Sequence, residues 1–291
     1  VASFVPSNRL KNISMVDRSK RSRDQILIFT DLDGTLLDEE TYDFKPALPA
    51  LELIHSLRIP LIIASSKTRA EIEFLRKRLS LDSPFIVENG GGIFFPATFT
   101  LPEGHPYERV GGYNAILIGR PIKEVLERAS RLRERFSFKG FSEMLPEEIA
   151  SVTGLKLEQA ILASKREFDE PIVLKSPLHD KEIFCKKASD FGLDCVYGGR
   201  FIHLLLGGNK GRAVEVVLDI YRQLRGPIFP IALGGSPNDI GMLEVVDKAV
   251  LMQDKDGAYI KGLGHPDLIK VEGSGPRAWN KAILSILADF S

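Results

Sequence analysis

The chain has 291 residues, with 39 Lys+Arg balanced against 39 Asp+Glu. That balance excludes a broad nucleic-acid-binding face, which needs a basic surface, and 44% apolar with 27% charged residues excludes collagen-like, coiled-coil and disordered chains. No run reaches the ~18 to 20 continuous apolar residues of a membrane helix, and the length suggests about two domains, or one core with a large insertion.

Residues 1–24 are dominated by Arg9, Lys11, Arg18, Lys20, Arg21 and Arg23 and show little apolar periodicity. Lacking an apolar core of ~7 to 15 residues, they read as a solvated basic arm and not as a secretory signal. From Gln25 the pattern changes. QILIFT at 25–30 is a continuous apolar run, the mark of a strand buried on both faces. Leu48, Leu51, Ile54 and Leu57 predict a helix over 46–58, PLIIA a strand over 60–64, and Ile72, Leu75 and Leu79 a helix over 68–79; a third strand follows over 85–88. Buried strands alternating with amphipathic helices imply an α/β fold, a doubly wound parallel sheet.

The Gly- and Pro-rich stretch 96–112 reads as a hinge into a second unit. There the pattern shifts to a strand over 115–119, a charged helix over 122–136, short helices over 146–153 and 156–166, a strand over 171–175, a helix over 181–191, and a hairpin of 195–197 with 201–206 around Gly198-Gly199. This is a small α+β domain inserted into the first, returning through Gly-rich 206–209. The alternation then resumes: helix 210–223 with Ala213, Val214, Val217 and Ile220 inward, strand 228–233 with an irregularity at Pro230, helix 237–246, strand 249–252, and a closing helix over 276–290 carrying Trp279, Ile283 and Leu287. The domain reading is therefore an arm at 1–24, a core at 25–108 and 207–291, and an inserted cap at 109–206. The two cysteines, Cys185 and Cys195, are too few for a disulfide scaffold and have no clustered His for zinc. They read as free thiols, buried or half-buried, which fits a reducing cytoplasm.

The chemistry concentrates at Asp31-Leu32-Asp33-Gly34-Thr35, directly after the first buried strand. Ligands of open α/β sheets bind just beyond the carboxyl ends of strands. Two carboxylates one residue apart repel each other unless a cation or a shared proton intervenes, and Mg²⁺ takes oxygen ligands. An EF-hand loop is excluded, because the Gly stands fourth and not sixth and the twelfth position is Tyr42.

FTDLDGTLLD resembles the first motif of the haloacid dehalogenase-like phosphatases. Their second motif, a Ser or Thr ending a buried strand, is matched by Ser65, their third by Lys210 in GGNKGRAV, and their fourth by Gly234-Gly235-Ser236-Pro237-Asn238-Asp239 after a strand. An α+β cap between the second and third motifs is the arrangement of the sugar-phosphatase branch. More narrowly, Ser65-Ser66-Lys67-Thr68-Arg69-Ala70-Glu71, Glu88-Asn89-Gly90, Phe138-Lys139-Gly140-Phe141, Thr153-Gly154-Leu155, the ASKREFDE segment at 163–170 with Pro171, and Gly199-Arg200-Phe201 are similar to mannosyl-3-phosphoglycerate phosphatases. The resemblance runs from about Gln25 to the C-terminus.

The resemblance implies Asp31 as nucleophile, Asp33 as general acid and base, Ser65 and Lys210 as phosphate partners, and Mg²⁺ held by Asp31, Asp33 and Asp239. Ser66, Lys67, Thr68, Glu88, Asn89, Arg166, Arg200 and Asn238 are the candidate substrate contacts; Arg suits a carboxylate bidentately. The implied partner is a small phosphorylated glycosyl-glycerate, with no nucleic acid or membrane, in the cytoplasm. One position departs: Gly235 stands where the family carries a metal-binding Asp. The alternatives are therefore a glucosyl-specific or broader sugar-phosphate phosphatase, or a phosphate-ligand-binding protein whose catalysis Gly235 has weakened.

Overall fold

A computed structural model describes residues 25–175, 180–198 and 200–290; the basic arm expected at 1–24 lies outside them. In chain order the first unit contains β1 (Ile26–Thr30), α1 (Leu48–Ser56), β2 (Leu61–Ala64), α2 (Arg69–Leu79), β3 (Phe85–Val87), β4 (Gly92–Pro96), β5 (Glu108–Val110) and β6 (Tyr113–Leu117). The inserted unit contains α3 (Ile122–Ser130), β7 (Phe138–Gly140), α4 (Pro146–Thr153), α5 (Leu157–Ala163), β8 (Asp169–Leu174), α6 (Asp180–Asp190), β9 (Asp194–Gly198) and β10 (Phe201–Leu205). The chain returns to the first unit with α7 (Lys210–Arg225), β11 (Phe229–Gly234), α8 (Ile240–Glu244), β12 (Lys248–Met252), β13 (Leu268–Val271) and α9 (Gly275–Ala288).

The large sheet runs β13-β12-β11-β1-β2-β3-β4-β6-β5. From β13 to β3 all pairs are parallel, and β4, β6 and β5 add an antiparallel edge. Because β1 is central, its residues alternate between two apolar layers. Ile26 and Ile28 pack with α1, α2 and α9 on one face, and Leu27 and Phe29 with α7 and α8 on the other. All five β1 residues are buried, and each large apolar side chain so buried contributes roughly 1.5–3 kcal/mol. Pro230 does not interrupt β11. It sits one residue ahead of the ladder with β12, which begins at Ile231↔Lys248, and its carbonyl still accepts the Asp247 N–H at 3.1 Å.

The cap sheet, β7-β8-β10-β9, is antiparallel. Its one face carries Ile172, Ile202 and Leu204 against Val125 and Ala129 of α3 and Phe184 and Ala188 of α6. Its other face looks toward the core domain. The boundary expected at 109 is corrected: β5 and β6 hydrogen-bond onto the large sheet, so residues 108–117 belong to it and the insertion starts after Leu117. The stretch 96–112 is a sheet edge and not the hinge. The outgoing and returning chains instead run side by side where Arg120 N–H donates to the Leu206 carbonyl at 2.9 Å.

Cys185 and Cys195 are also corrected. They form a disulfide with a Cα–Cα distance of 5.4 Å. A short turn after α6 folds β9 back alongside it and brings the two residues together, so the pair lends no support to a reducing compartment. Among the described residues no helix is long and apolar enough to cross a membrane.

Candidate active site

The carboxyl ends of β1, β2 and β11 converge on one edge of the large sheet, facing the cap across a cavity of about 510 Å³. Asp31 follows β1 and is 5% exposed. Trp279 of α9 anchors it from behind: its Nε1–H donates to Thr30 Oγ1 at 3.0 Å, and that hydroxyl donates to the Asp31 carbonyl at 2.7 Å. The sequence places Trp279 on the closing helix but carries no signal for this link, which spans 249 positions.

Lys210 is the first residue of α7, whose N-terminus Asn209 caps by accepting the Arg212 N–H. Its ammonium donates to Asp31 Oδ1 at 2.8 Å and to Asp239 Oδ1 at 2.7 Å. The second oxygen of Asp239 accepts the N–H groups of Gly235 at 3.0 Å and Ser236 at 2.9 Å. This tight loop needs Gly234, where a Cβ would stand 2.7 Å from the Asp239 side chain. Burial and Asp239 together push the Asp31 carboxyl up to about 7, with Lys210 pulling the other way. Burial alone would depress Lys210, but Asp239 and Asp31 outweigh it and its pKa is raised.

Asp33 stands one turn further on. Lys67 Nζ lies 3.0 Å from Asp33 Oδ2 and 3.6 Å from Glu71 Oε1, with the Tyr42 ring beneath it at 4.9 Å. Asp33 Oδ1 is buried without a hydrogen-bond partner among the described residues. Ser65 is buried at the end of β2, and its Oγ accepts the Lys67 N–H at 3.3 Å.

The expected substrate contacts divide. Ser66, Lys67, Arg166, Arg200 and Asn238 line the cavity; Thr68, Glu88 and Asn89 do not. Thr68 is the N-cap of α2 in a reciprocal capping box with Glu71, and its hydroxyl also donates to the Leu162 carbonyl of the cap at 2.9 Å. Glu88 is fully buried and accepts the backbone N–H groups of Glu167, Phe168 and Asp169 at 2.7–3.1 Å. Burial pushes it up to about 7 against the pull of Arg166 and those N–H groups. Asn89 donates to Asp169 Oδ2 at 2.9 Å and accepts from Asn238 Nδ2 at 2.9 Å. These three fasten the cap to the core. The turn that carries Glu88 and Asn89 needs Gly90, whose φ is +90° and where a Cβ would stand 2.3 Å from the Asn209 carbonyl oxygen.

The two arginines differ as well. Arg166 is ion-paired with Asp169, lies 3.7 Å from Glu88 Oε2, and donates to the Ser66 carbonyl at 2.9 Å. Arg200 is exposed at the cavity's rim, donating to Tyr42 Oη at 3.2 Å and to the Thr153 carbonyl. No local pattern marks Tyr42 or Asp169 as part of the site: Tyr42 meets Thr153 and Arg200, and Asp169 meets Asn89 and His203, all far along the chain.

Among the described residues no three carboxylate, imidazole or thiol groups converge tightly enough to hold a cation alone. Asp239, an expected ligand, spends both oxygens on Lys210 and the loop. Asp31, which Lys210 engages through one oxygen only, fits a hard cation that completes its shell with water and phosphate oxygen, as Mg²⁺ does with one or two carboxylates, and the orphaned oxygen of Asp33 is open to a ligand hydroxyl or proton.

Residues 28–101 match the model of the haloacid dehalogenase-like hydrolases. A glucosyl-3-phosphoglycerate/mannosyl-3-phosphoglycerate phosphatase of Persephonella marina is 38% identical over 269 residues, covering 91% of this chain and 98% of that protein. The protein of the same name from Methanococcoides burtonii is 38% identical over 263 residues, covering 90% and 97%. The chain belongs to the mannosyl-3-phosphoglycerate phosphatase family of haloacid dehalogenase-like hydrolases. It is a phosphoric monoester hydrolase, and hydrolases of this kind generally use a divalent metal. The fold is shared with the sucrose-phosphatase of Synechocystis sp. PCC6803, solved with sucrose and phosphate, at a TM-score of 0.61 and 16% identity, covering 91% of this chain and 98% of that one.

Proposed function

We propose that this family member hydrolyses mannosyl-3-phosphoglycerate to mannosylglycerate and phosphate, with Mg²⁺ as cofactor and the glucosyl ester as the alternative substrate. The observation that carries the reading is the juxtaposition of Asp31, Lys210 and Asp33 at the strand ends, beneath a cap that presents Arg166 and Arg200 to the same cavity. The names of the two relatives supply the substrate.

Phosphate monoesters resist attack because nucleophile and target are both anionic. Catalysis here is positioning and charge neutralisation. Asp31 attacks phosphorus, the ester P–O bond breaks, and an aspartyl-phosphate forms. Asp33 gives its proton to the departing alkoxide and takes one back from the water that hydrolyses the acyl phosphate. Lys210 holds the Asp31 carboxylate and faces the charge that develops on phosphorus. Asp239 aims Lys210 and shapes the loop. Ser66 and Asn238 line the space for phosphate oxygens, Ser65 lies buried behind them and accepts the Lys67 N–H, and Arg200 suits the glycerate carboxylate. A Mg²⁺ would be held by the Asp31 carboxylate and the Asp33 backbone carbonyl, leaving the Asp33 carboxyl free to carry its proton, and would supply the charge that lets an anion approach an anion.

Phosphate release is measured with Mg²⁺ on both glycosyl-3-phosphoglycerates and on simple sugar phosphates. Rapid release from a glycosyl ester, reduced at least about 10³-fold in Asp31→Asn, is the expected result. Release from none of them by folded protein supports instead a phosphate-ligand-binding protein crippled at Gly235.

A further inference from the structure

The cap side of the cavity holds a group that the hydrolytic chemistry leaves unused. β10 alternates, so Ile202 and Leu204 enter the cap core and His203 between them faces the core domain. Its partner across the sheet is Pro171, which lines the same cavity. His203 is only 4% exposed. Its Nδ1 lies 3.0 Å from Asp169 Oδ2. That carboxylate also accepts the Asn89 Nδ2–H at 2.9 Å and is ion-paired with Arg166. A carboxylate so engaged only accepts, so the proton of the His203 contact sits on Nδ1.

The other ring nitrogen has no hydrogen-bond partner among the described residues. It lies beside Gly198, another residue lining the cavity, where a Cβ would stand 3.2 Å from Nε2. Burial, Arg166 and Lys210 hold the imidazole down to about 3, so the ring is neutral and Nε2 carries a free lone pair. His203 lines the cavity, so this unpaired acceptor is within reach of a ligand there, and a ligand donor that satisfies it is favoured. Of the charges that act on the ring, Arg166 and Lys210 outweigh Glu88 and Asp33, so the position beside Nε2 disfavours a cationic N–H donor. The complementary group is a hydroxyl.

We propose that His203 is a specificity-determining residue whose Nε2 accepts a hydrogen bond from a hydroxyl of the ester's alcohol portion, with Asp169 as the residue that positions it. This rests on the phosphatase reading and extends it: the cavity selects a polyol or sugar leaving group over an alkyl or aromatic one.

The test uses the whole chain with Mg²⁺. kcat/KM is measured for both glycosyl-3-phosphoglycerates, a panel of sugar phosphates, and p-nitrophenyl phosphate, whose leaving group carries no further hydroxyl. The ratio of the best hydroxylated ester to p-nitrophenyl phosphate is expected to fall roughly tenfold or more in His203→Leu, mostly through KM. His203→Gln, whose amide reaches toward the place of Nε2, is expected to recover part of it. An unchanged ratio overturns the proposal. Failure of the wild type on both glycosyl esters, with activity on another sugar phosphate, overturns only the substrate assignment, and the ratio is then read on that ester. Independently of turnover, ¹⁵N-histidine spectra, with His203 assigned by its loss in His203→Leu, are expected to show a protonated Nδ1 and a bare Nε2. A protonated Nε2 overturns the proposal whatever the kinetics.

Discussion

On the floor of the cavity Lys210 lies between two carboxylates, Asp31 and Asp239, and at the seam with the cap Arg166 lies beside two more, Asp169 and Glu88. Both clusters are buried, and both pair a cation with two acids. They differ in what is left over. Asp33 on the floor keeps an oxygen without a partner, and Asp31 is held by Lys210 through one oxygen. At the seam Glu88 takes three backbone N–H groups and Asp169 takes Asn89, His203 and Arg166. A buried charge that is fully partnered fastens one piece of chain to another, while one with spare capacity is available to a ligand. His203 stands between the two regimes, with one nitrogen fastened and the other open.

This contrast is broken most severely at Lys210. Lys210→Met removes the shared cation and leaves two buried acids facing each other, so urea denaturation at pH 7 is expected to show a loss of about 3–5 kcal/mol, and phosphate release is expected to fall with it. A variant of undiminished stability would mean that the floor's charges are not coupled as the geometry indicates.

The seam is probed through pH. Glu88 has a folded pKa of about 7, above its unfolded value of 4.5. Its contribution is therefore fully present below about pH 4.5 and is lost as pH rises through about 7, a change of roughly 3 kcal/mol across that window. Stability measured against pH should decline less steeply in Glu88→Gln than in the wild type between those limits. Identical slopes would show that folding does not raise the Glu88 pKa.

A third substitution sharpens the role of the floor's spare capacity. At Gly235 a Cβ would stand 3.1 Å from the Met252 carbonyl oxygen, so a side chain needs a shift of only a few tenths of an ångström. Gly235→Asp is expected to tighten Mg²⁺ binding roughly tenfold by calorimetry, through one more anionic ligand. No change in affinity would mean that the cation sits away from this loop. The smallest effect belongs to Thr68. Thr68→Ala removes the α2 cap and should cost about 1 kcal/mol, with KM unchanged, since the hydroxyl faces Glu71 and Leu162 and not the cavity. A raised KM would return Thr68 to the substrate contacts.

The legibility of these two regions follows from how they are built. Asp31, Ser65, Lys210 and the 234–239 loop each follow a buried strand or open a helix, so short runs such as QILIFT and PLIIA place them on one sheet edge before any contact is known. Thr68, Glu88 and Asn89 carry equally polar side chains in equally short motifs, but their partners lie 79 to 94 positions away in the cap. No local pattern distinguishes a Glu that will meet substrate from one that will meet three backbone N–H groups. The cap boundary failed for a related reason: β5 and β6 join the large sheet as an antiparallel edge, whose pairing depends on β4 and not on their own weak alternation.

The sequence by itself determined the central strands and helices around the site, from Ile26–Thr30 to Lys248–Met252, and the positions of Asp31, Asp33, Ser65 and Lys210 at strand and helix ends, because apolar periodicity and strand-end motifs are local properties of the chain; the short strands β4, β5, β7 and β13 left no such pattern. Only the tertiary structure decided that Asp239 is spent on Lys210 and its own loop, that Glu88 and Asn89 bind the cap, that Cys185 meets Cys195, and that His203 turns one nitrogen to Asp169 and the other to the cavity. Each of those outcomes depends on which groups from distant segments arrive first at a buried donor or acceptor, and a buried polar group takes the partner that packing brings to it.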